Sequence, residues 1–150
     1  MKIGIIGAGF IGRAVARLAI AAGHDVMISN SRGPESLAPL GAEIGDANAT
    51  AMTVNDAATY GEVVLLAVPW RTPEALPSPD RTAGKVVIDA MNQYRPDRGL
   101  FDLGDSTASE EVAKRLPGAR IVKAFNTMNF ETLRTEGKPA GPNRLVIFVA

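Results

Sequence analysis

Cysteine is absent from the 150 residues, which excludes disulfides, thiolate metal sites and a cysteine nucleophile. Histidine occurs once, at His24. A zinc site of the usual His/Cys type is therefore out of reach, and a serine–histidine triad would have to use that one ring. Neither sign of charge is in excess, because 16 Lys and Arg balance 16 Asp and Glu. No basic stretch stands out, so nucleic acid is not an expected partner. No apolar run approaches the ~20 residues needed to cross a bilayer, and no membrane association is expected. The chain reads as strand from Lys2 onward, with no room for a signal peptide, so a cytoplasmic protein is expected. What is present is ordinary for a soluble globular protein: 46% hydrophobic and 21% charged residues, enough for one domain with a hydrophobic core.

Apolar periodicity alternates between two patterns along the chain. Lys2-Ile3-Gly4-Ile5-Ile6 is a short apolar run halted at Gly7, the pattern of a buried parallel strand. Ile11, Val15, Leu18 and Ala22 then recur at helical spacing, with Arg13 and Arg17 off the stripe. Gly23 ends that helix, and Asp25 to Ser29 resumes as a strand, which makes a βαβ unit. Further on, residues 34–43 are expected to be helical with Pro34 in the first turn. Residues 50–52 are expected as a strand, 54–60 as a helix, and 63–68 as a strand that Pro69 stops. Residues 85–89, 120–124 and 145–149 complete the strands, and a capping box at Thr107 and Glu110 opens a helix to about Leu116. Residues 92–106 and 126–143 read as long irregular stretches, which are often functional. The alternation predicts a Rossmann-type, doubly wound α/β fold: a mostly parallel sheet with helices on both faces. The last strand lacks a covering helix, so residues 1–150 are expected to form one domain with an incomplete C-terminal end.

Chemistry concentrates at the first turn. Gly7-Ala8-Gly9-Phe10-Ile11-Gly12 is a G-x-G-x-x-G sequence placed between a buried strand and an amphipathic helix, the context that makes this motif meaningful. Gly7 permits the tight turn, Gly9 the approach of a pyrophosphate, and Gly12 close packing of helix on strand. The helix N-terminus offers N–H groups and a partial positive charge to the phosphates. An NAD site usually carries an acidic residue at the end of the second strand. Here that region reads Ser29-Asn30-Ser31-Arg32-Gly33, without a carboxylate. Ser31 can donate to a 2′-phosphate and Arg32 can grip it with its planar fork of donors. NADP(H) is therefore the expected dinucleotide. His24, at the far end of the first helix, suits the helix dipole there.

Together with the glycine turn, the segments Asn30-Ser31-Arg32, Leu66-Ala67-Val68-Pro69-Trp70 and Ile121-Val122-Lys123-Ala124-Phe125-Asn126-Thr127 resemble the NADPH-dependent coenzyme F420 reductases. The resemblance runs over essentially the whole chain and implies hydride transfer between NADPH and the deazaflavin of F420, in a homodimer. It places Gly7, Gly9, Phe10, Ile11 and Gly12 at the pyrophosphate and Ser31 with Arg32 at the 2′-phosphate, and counts Ala8 and Asn30 among the cofactor-binding residues. It also implicates Ala67, Val68, Pro69, Trp70, Asn92, Ala124 and Asn126 at strand ends where such sheets bind ligands. Trp70 either flanks adenosine or covers the sheet edge. Asn92 and Asn126 either orient the nicotinamide carboxamide or bond to loop backbone. Hydride passes directly between two rings, so no nucleophile, catalytic side chain or metal is required. Two departures from the family bear on the second substrate: Asn126-Thr127 stands where some members have His-Thr, and members extend beyond a strand such as 145–149. The alternatives are a reductase of another small acceptor, such as a flavin or ferric chelate, and a non-catalytic dinucleotide-binding module. Imine and hydroxyacid reductases share such an N-terminal domain but add a large helical one.

Overall fold

Alternate residues of an all-parallel strand must both find apolar neighbours, because helices cover both faces of such a sheet. Strand β1 (Lys2–Ile6) does this: Ile5 joins one buried cluster and Ile6 another on the opposite face. The computed structural model describes residues 1–37, 49–97, 99–138, 142 and 144–150. Around β1 lie β2 (Asp25–Ser29), β3 (Ala49–Met52), β4 (Val63–Leu66), β5 (Val86–Asp89) and β6 (Arg120–Lys123), all parallel in the order β3-β2-β1-β4-β5-β6. This is the doubly wound Rossmann order, whose direction reverses between β1 and β4.

Helix α1 (Phe10–Ala21) lays Val15, Ala16 and Ala19 on the cluster that holds Ile5, Val26, Ile28 and Leu65. On the other face, α2 (Val54–Tyr60) and α3 (Ala108–Arg115) supply Ala57, Ala58 and Val112 to the cluster of Ile6, Val64, Leu66 and Val87. Each fully buried Ile, Leu or Val stabilises the fold by roughly 1.5–3 kcal/mol relative to exposure, so the two layers hold the sheet from both sides. Helix α4 (Phe130–Thr135) packs against α1 rather than on the sheet. No helix among the described residues is long and apolar enough to cross a membrane.

Four local expectations need correction or restriction. A 3-10 turn covers Pro34–Leu37 where a longer helix was expected, and the remainder of 34–43 lies outside the described residues. The strand expected over 63–68 ends at Leu66, because the chain turns where the Thr72 N–H donates to the Pro69 carbonyl (3.0 Å). No strand forms over 145–149: a lone antiparallel bridge joins Val149 to Ala124, and Leu145 to Val149 stay exposed. Burial against a neighbouring layer, which turns an apolar run into a strand, is missing there. The stretch 126–143 contains α4, which Asn129 caps by accepting from the Glu131 N–H (2.8 Å). Six residues are too few to show a helical period in sequence.

The expected capping box at α3 is present, with the Glu110 N–H donating to Thr107 Oγ1 (3.2 Å) and the Thr107 N–H to the Glu110 carboxylate (2.6 Å). That backbone bond, first among the causes, holds the Glu110 carboxyl below its ordinary range. A depressed carboxyl pKa adds stability above its unfolded value, and the gain disappears as pH falls through the folded one. Thr107→Ala is expected to lower stability by about 1 kcal/mol in urea denaturation at neutral pH. A change within error would remove the cap from the account of this helix.

Candidate dinucleotide-binding site

Three glycines shape the loop between β1 and α1, each for a different steric reason. Gly7 has φ 112° and donates its N–H to the Ser29 carbonyl (2.9 Å). A Cβ on Gly12 would lie 1.9 Å from the Gly7 carbonyl oxygen, so helix and turn touch backbone to backbone. At Gly9 a Cβ would meet nothing within 4 Å. That open side faces the N-terminus of α1, where Gly9 is the N-cap without a side-chain cap and no acidic residue occupies the first turn. The first intrahelical bond runs from the Arg13 N–H to the Gly9 carbonyl (3.0 Å), which leaves the amides ahead of it directed out of the helix end. Arg13 Nε braces the loop by donating to the Ala8 carbonyl (2.8 Å). Open space, uncapped amides and a positive helix end together fit a pyrophosphate.

The loop floors a cleft of about 810 Å³ along the C-terminal edge of the sheet, where β1 and β4 part. Gly7, Ala8, Gly9, Asn30, Ser31, Arg32, Ala67, Val68 and Pro69 all line it. Beyond β2, Asn30 fixes the turn by accepting from the Arg32 N–H (2.9 Å) and donating to Ser36 Oγ (2.8 Å). Ser31 and Arg32 are thereby set on the exposed rim of the cleft. Sequence reasoning missed Gly33, Thr53, Val54, Thr72, Glu74 and Ala75, which also line it. Thr53 directly follows β3, and the rule that ligands gather at strand C-termini was enough to find it. Nothing in the sequence relates Glu74 to Arg32; the fold alone puts them in one cleft.

The remaining expected site residues are not in the lining of this cleft. Phe10, Ile11 and Gly12 form the first turn of α1 outside the cleft lining, and Phe10 stacks on Phe130 with ring centroids 4.5 Å apart. Trp70 packs on Phe101 (5.5 Å between centroids) with the Arg115 guanidinium 5.9 Å from its ring, contacts that cover the sheet edge near α3. Asn92 and Asn126 meet at the ends of β5 and β6: Asn92 Nδ2 donates to the Asn126 carbonyl (2.9 Å) and Asn126 Nδ2 to Asn92 Oδ1 (3.4 Å). They line a separate cavity of about 520 Å³, while Ala124 is buried. His24 is far from this edge, with Nδ1 3.4 Å from the Met1 amino group. No group of three or more His, Asp or Glu among the described residues is placed to hold a metal ion.

A parallel sheet of this order with a glycine turn at its switch point defines a Rossmann dinucleotide-binding domain. Residues 2–93 match the family described as NADP oxidoreductase, coenzyme F420-dependent. The chain belongs to that family and is an NADP-dependent oxidoreductase. Among solved structures, it is 36% identical to a hypothetical protein of Sinorhizobium meliloti, covering 93% of this chain and 67% of that one with a TM-score of 0.78. It is 27% identical to a candidate F420-dependent NADP-reductase of Arthrobacter sp. FB24, over 100% of this chain and 73% of that one, with a TM-score of 0.82. An imine reductase of Aspergillus terreus shares the fold, at 20% identity over 87% of this chain and 43% of that one, with a TM-score of 0.63.

Gly9→Val separates the turn's binding role from its structural one. The new side chain enters open space, so the melting temperature is expected to stay close to that of the native protein. NADPH affinity measured by calorimetry is expected to fall at least about tenfold, because the side chain takes the room a pyrophosphate needs. Native affinity would show that the loop is not the phosphate site.

Proposed function

We propose that this protein transfers hydride between NADPH and the deazaflavin ring of coenzyme F420. Family membership, with similarity over the whole chain to the Arthrobacter candidate F420-dependent NADP-reductase, supports this acceptor. The cleft supplies the physical side of the reading: a phosphate cradle at the switch point, with binding surface on either side of it along the sheet edge.

Gly7, Ala8 and Gly9 hold the pyrophosphate with the first turn of α1. Ser31 and Arg32 bind the 2′-phosphate; no carboxylate stands between Ser29 and Gly33, and the nearest in the chain is Glu35, whose Oε2 lies beside Gly33. Glu74 puts one carboxylate in the same cleft, so Arg32 carries the discrimination. The nicotinamide end then extends the other way, past Ala67 and Val68 toward the ends of β5 and β6. When bound, NADPH supplies a hydride from its nicotinamide ring, and the balance is NADPH + F420 + H⁺ → NADP⁺ + F420H2, the proton coming from solvent. The chain's task is to hold two planar groups in register and limit water between them.

Arg32→Ala tests the cofactor assignment. Charge-assisted hydrogen bonds contribute about 1.5–3 kcal/mol, so NADPH affinity should fall roughly 10- to 100-fold with NADH affinity unchanged. Equal loss for both cofactors would refute the 2′-phosphate role. The acceptor is tested by anaerobic absorbance of oxidised F420 with NADPH. Bleaching of the deazaflavin band that requires the protein, and is much slower with NADH, is expected. Absence of bleaching while calorimetry shows NADPH binding would mean a different acceptor.

A further inference from the structure

Asp89 is a carboxylate with no exposure at all, placed at the C-terminal end of β5. Its Oδ1 accepts from the Met91 N–H (2.9 Å), and its Oδ2 accepts from Ser109 Oγ (2.7 Å) and Lys123 Nζ (3.0 Å). Lys123, the last residue of β6, also donates to the Met91 carbonyl. Both polar groups of Met91 are thus held by one ion pair, fully buried at Asp89 and partly exposed at Lys123, whose halves come from neighbouring strands. Ser109, in the first turn of α3, ties the helix to the same carboxylate.

Such a pair is expensive as a source of stability. Taking the Asp89 charge wholly out of water and the Lys123 charge partly so is costly, and a packed apolar pair often does as well or better. What the pair does here is fix position. Met91 directly precedes Asn92, and Lys123 directly precedes Ala124, Phe125 and Asn126. Phe125 has φ 64°, the only positive φ of a non-glycine residue among those described. An aromatic residue in that region is strained and persists only where the surroundings impose it. The chain is held there by Lys123 on one side and by the Asn92–Asn126 hydrogen bonds on the other.

We infer that the Asp89–Lys123 pair is a positioning device that sets the Asn92 and Asn126 loops as the docking wall for the nicotinamide end of NADPH. This rests on the direction of the cofactor proposed above, but not on the identity of the acceptor. Asp89 is fully buried and does not reach the cofactor, whereas Lys123 also lines the cavity beside Asn92 and Asn126. They act through Met91 and through the strained backbone at Phe125.

The test uses binding without any acceptor, so its failure is distinct from failure of the F420 reading. Lys123→Met leaves a buried carboxylate uncompensated, so it is paired with the double variant Asp89→Asn/Lys123→Met, in which no charge is stranded. Each is titrated with NADPH, following the fluorescence and anisotropy of the reduced nicotinamide, and with 2′-phospho-ADP-ribose, which lacks the nicotinamide. The native protein is expected to raise the anisotropy of the reduced nicotinamide. The folded variants are expected to bind 2′-phospho-ADP-ribose within about twofold of native while losing most of that anisotropy gain, because an error of about 1 Å in placement is enough to undo such orientation. If Lys123→Met does not fold, the double variant decides. An unchanged nicotinamide signal, an equal loss of both ligands, or a native protein that leaves the nicotinamide free would each overturn the proposal.

Discussion

The contact of α1 with β1, backbone against backbone, is the constraint on which the rest of the molecule depends. A Cβ on Gly12 would sit 1.9 Å from the Gly7 carbonyl, and one on Gly7 would sit 2.4 Å from the Ala67 carbonyl. The turn is therefore wedged between its own helix and the end of β4, with no space for either strand or helix to withdraw. Because β1 pairs with β2 on one side and β4 on the other, this wedge lies at the centre of the sheet. The helix end is aimed at the gap where the strand order reverses. Packing and binding thus have one cause: glycines that let the core close also leave the amides of the first turn facing a cleft.

The electrostatics of that cleft follow from placement rather than from net charge, which is zero. The N-terminal end of α1 has no acidic residue in its first turn, so the positive end of the dipole is not offset locally. Arg32 stands on the rim in a turn that Asn30 fixes by hydrogen bonds on both sides. An arginine on a fixed turn forfeits less freedom on meeting a phosphate than one on a loose loop, which raises its worth as a ligand. Glu74 on the same cleft works against any anion nearby, and the balance between them is a property of the fold, invisible to local sequence.

How much was legible in the sequence depends on how far each signal reached along the chain. The strands of the sheet were readable from short apolar runs alternating with helical periods, most sharply at β1, where the run stops at Gly7. The glycine turn carried its own context. The capping box of Thr107 and Glu110 was readable for the same reason, being complete within four consecutive residues. By contrast, Leu145 to Val149 had the composition of a strand but lacks a layer to bury its side chains, and composition cannot report a missing neighbour. Helix α4 was missed because its support is tertiary: the Phe10–Phe130 stack and burial of Leu133. Trp70 was left between flanking adenosine and covering the sheet edge, and its ring packs with Phe101 and Arg115 near α3. Position along a strand end locates a backbone, and the rotamer decides which side of the edge the ring covers.

The buried polar residues show where the fold departs from simple apolar packing. Among the described residues these are Ser29, Thr82 and Asp89. Thr82 satisfies itself locally through the Pro79 carbonyl. Ser29 and Asp89 instead lie at the C-terminal ends of β2 and β5, on either side of the switch point. Ser29 Oγ donates to the Ile5 carbonyl (3.3 Å) and the Ser29 carbonyl accepts from Gly7, so this residue stitches β2 to the phosphate turn. Asp89 stitches β5 to β6 and α3. An apolar residue at either position would avoid the desolvation cost but would remove the side-chain bonds from Ser29 to the Ile5 carbonyl and from Asp89 to Met91, Ser109 and Lys123. Polar burial here accompanies the C-terminal edge of the sheet, along which the cleft runs, while strand interiors such as Val64 to Leu66 remain wholly apolar. Stability and positioning are thus assigned to different parts of the same strands.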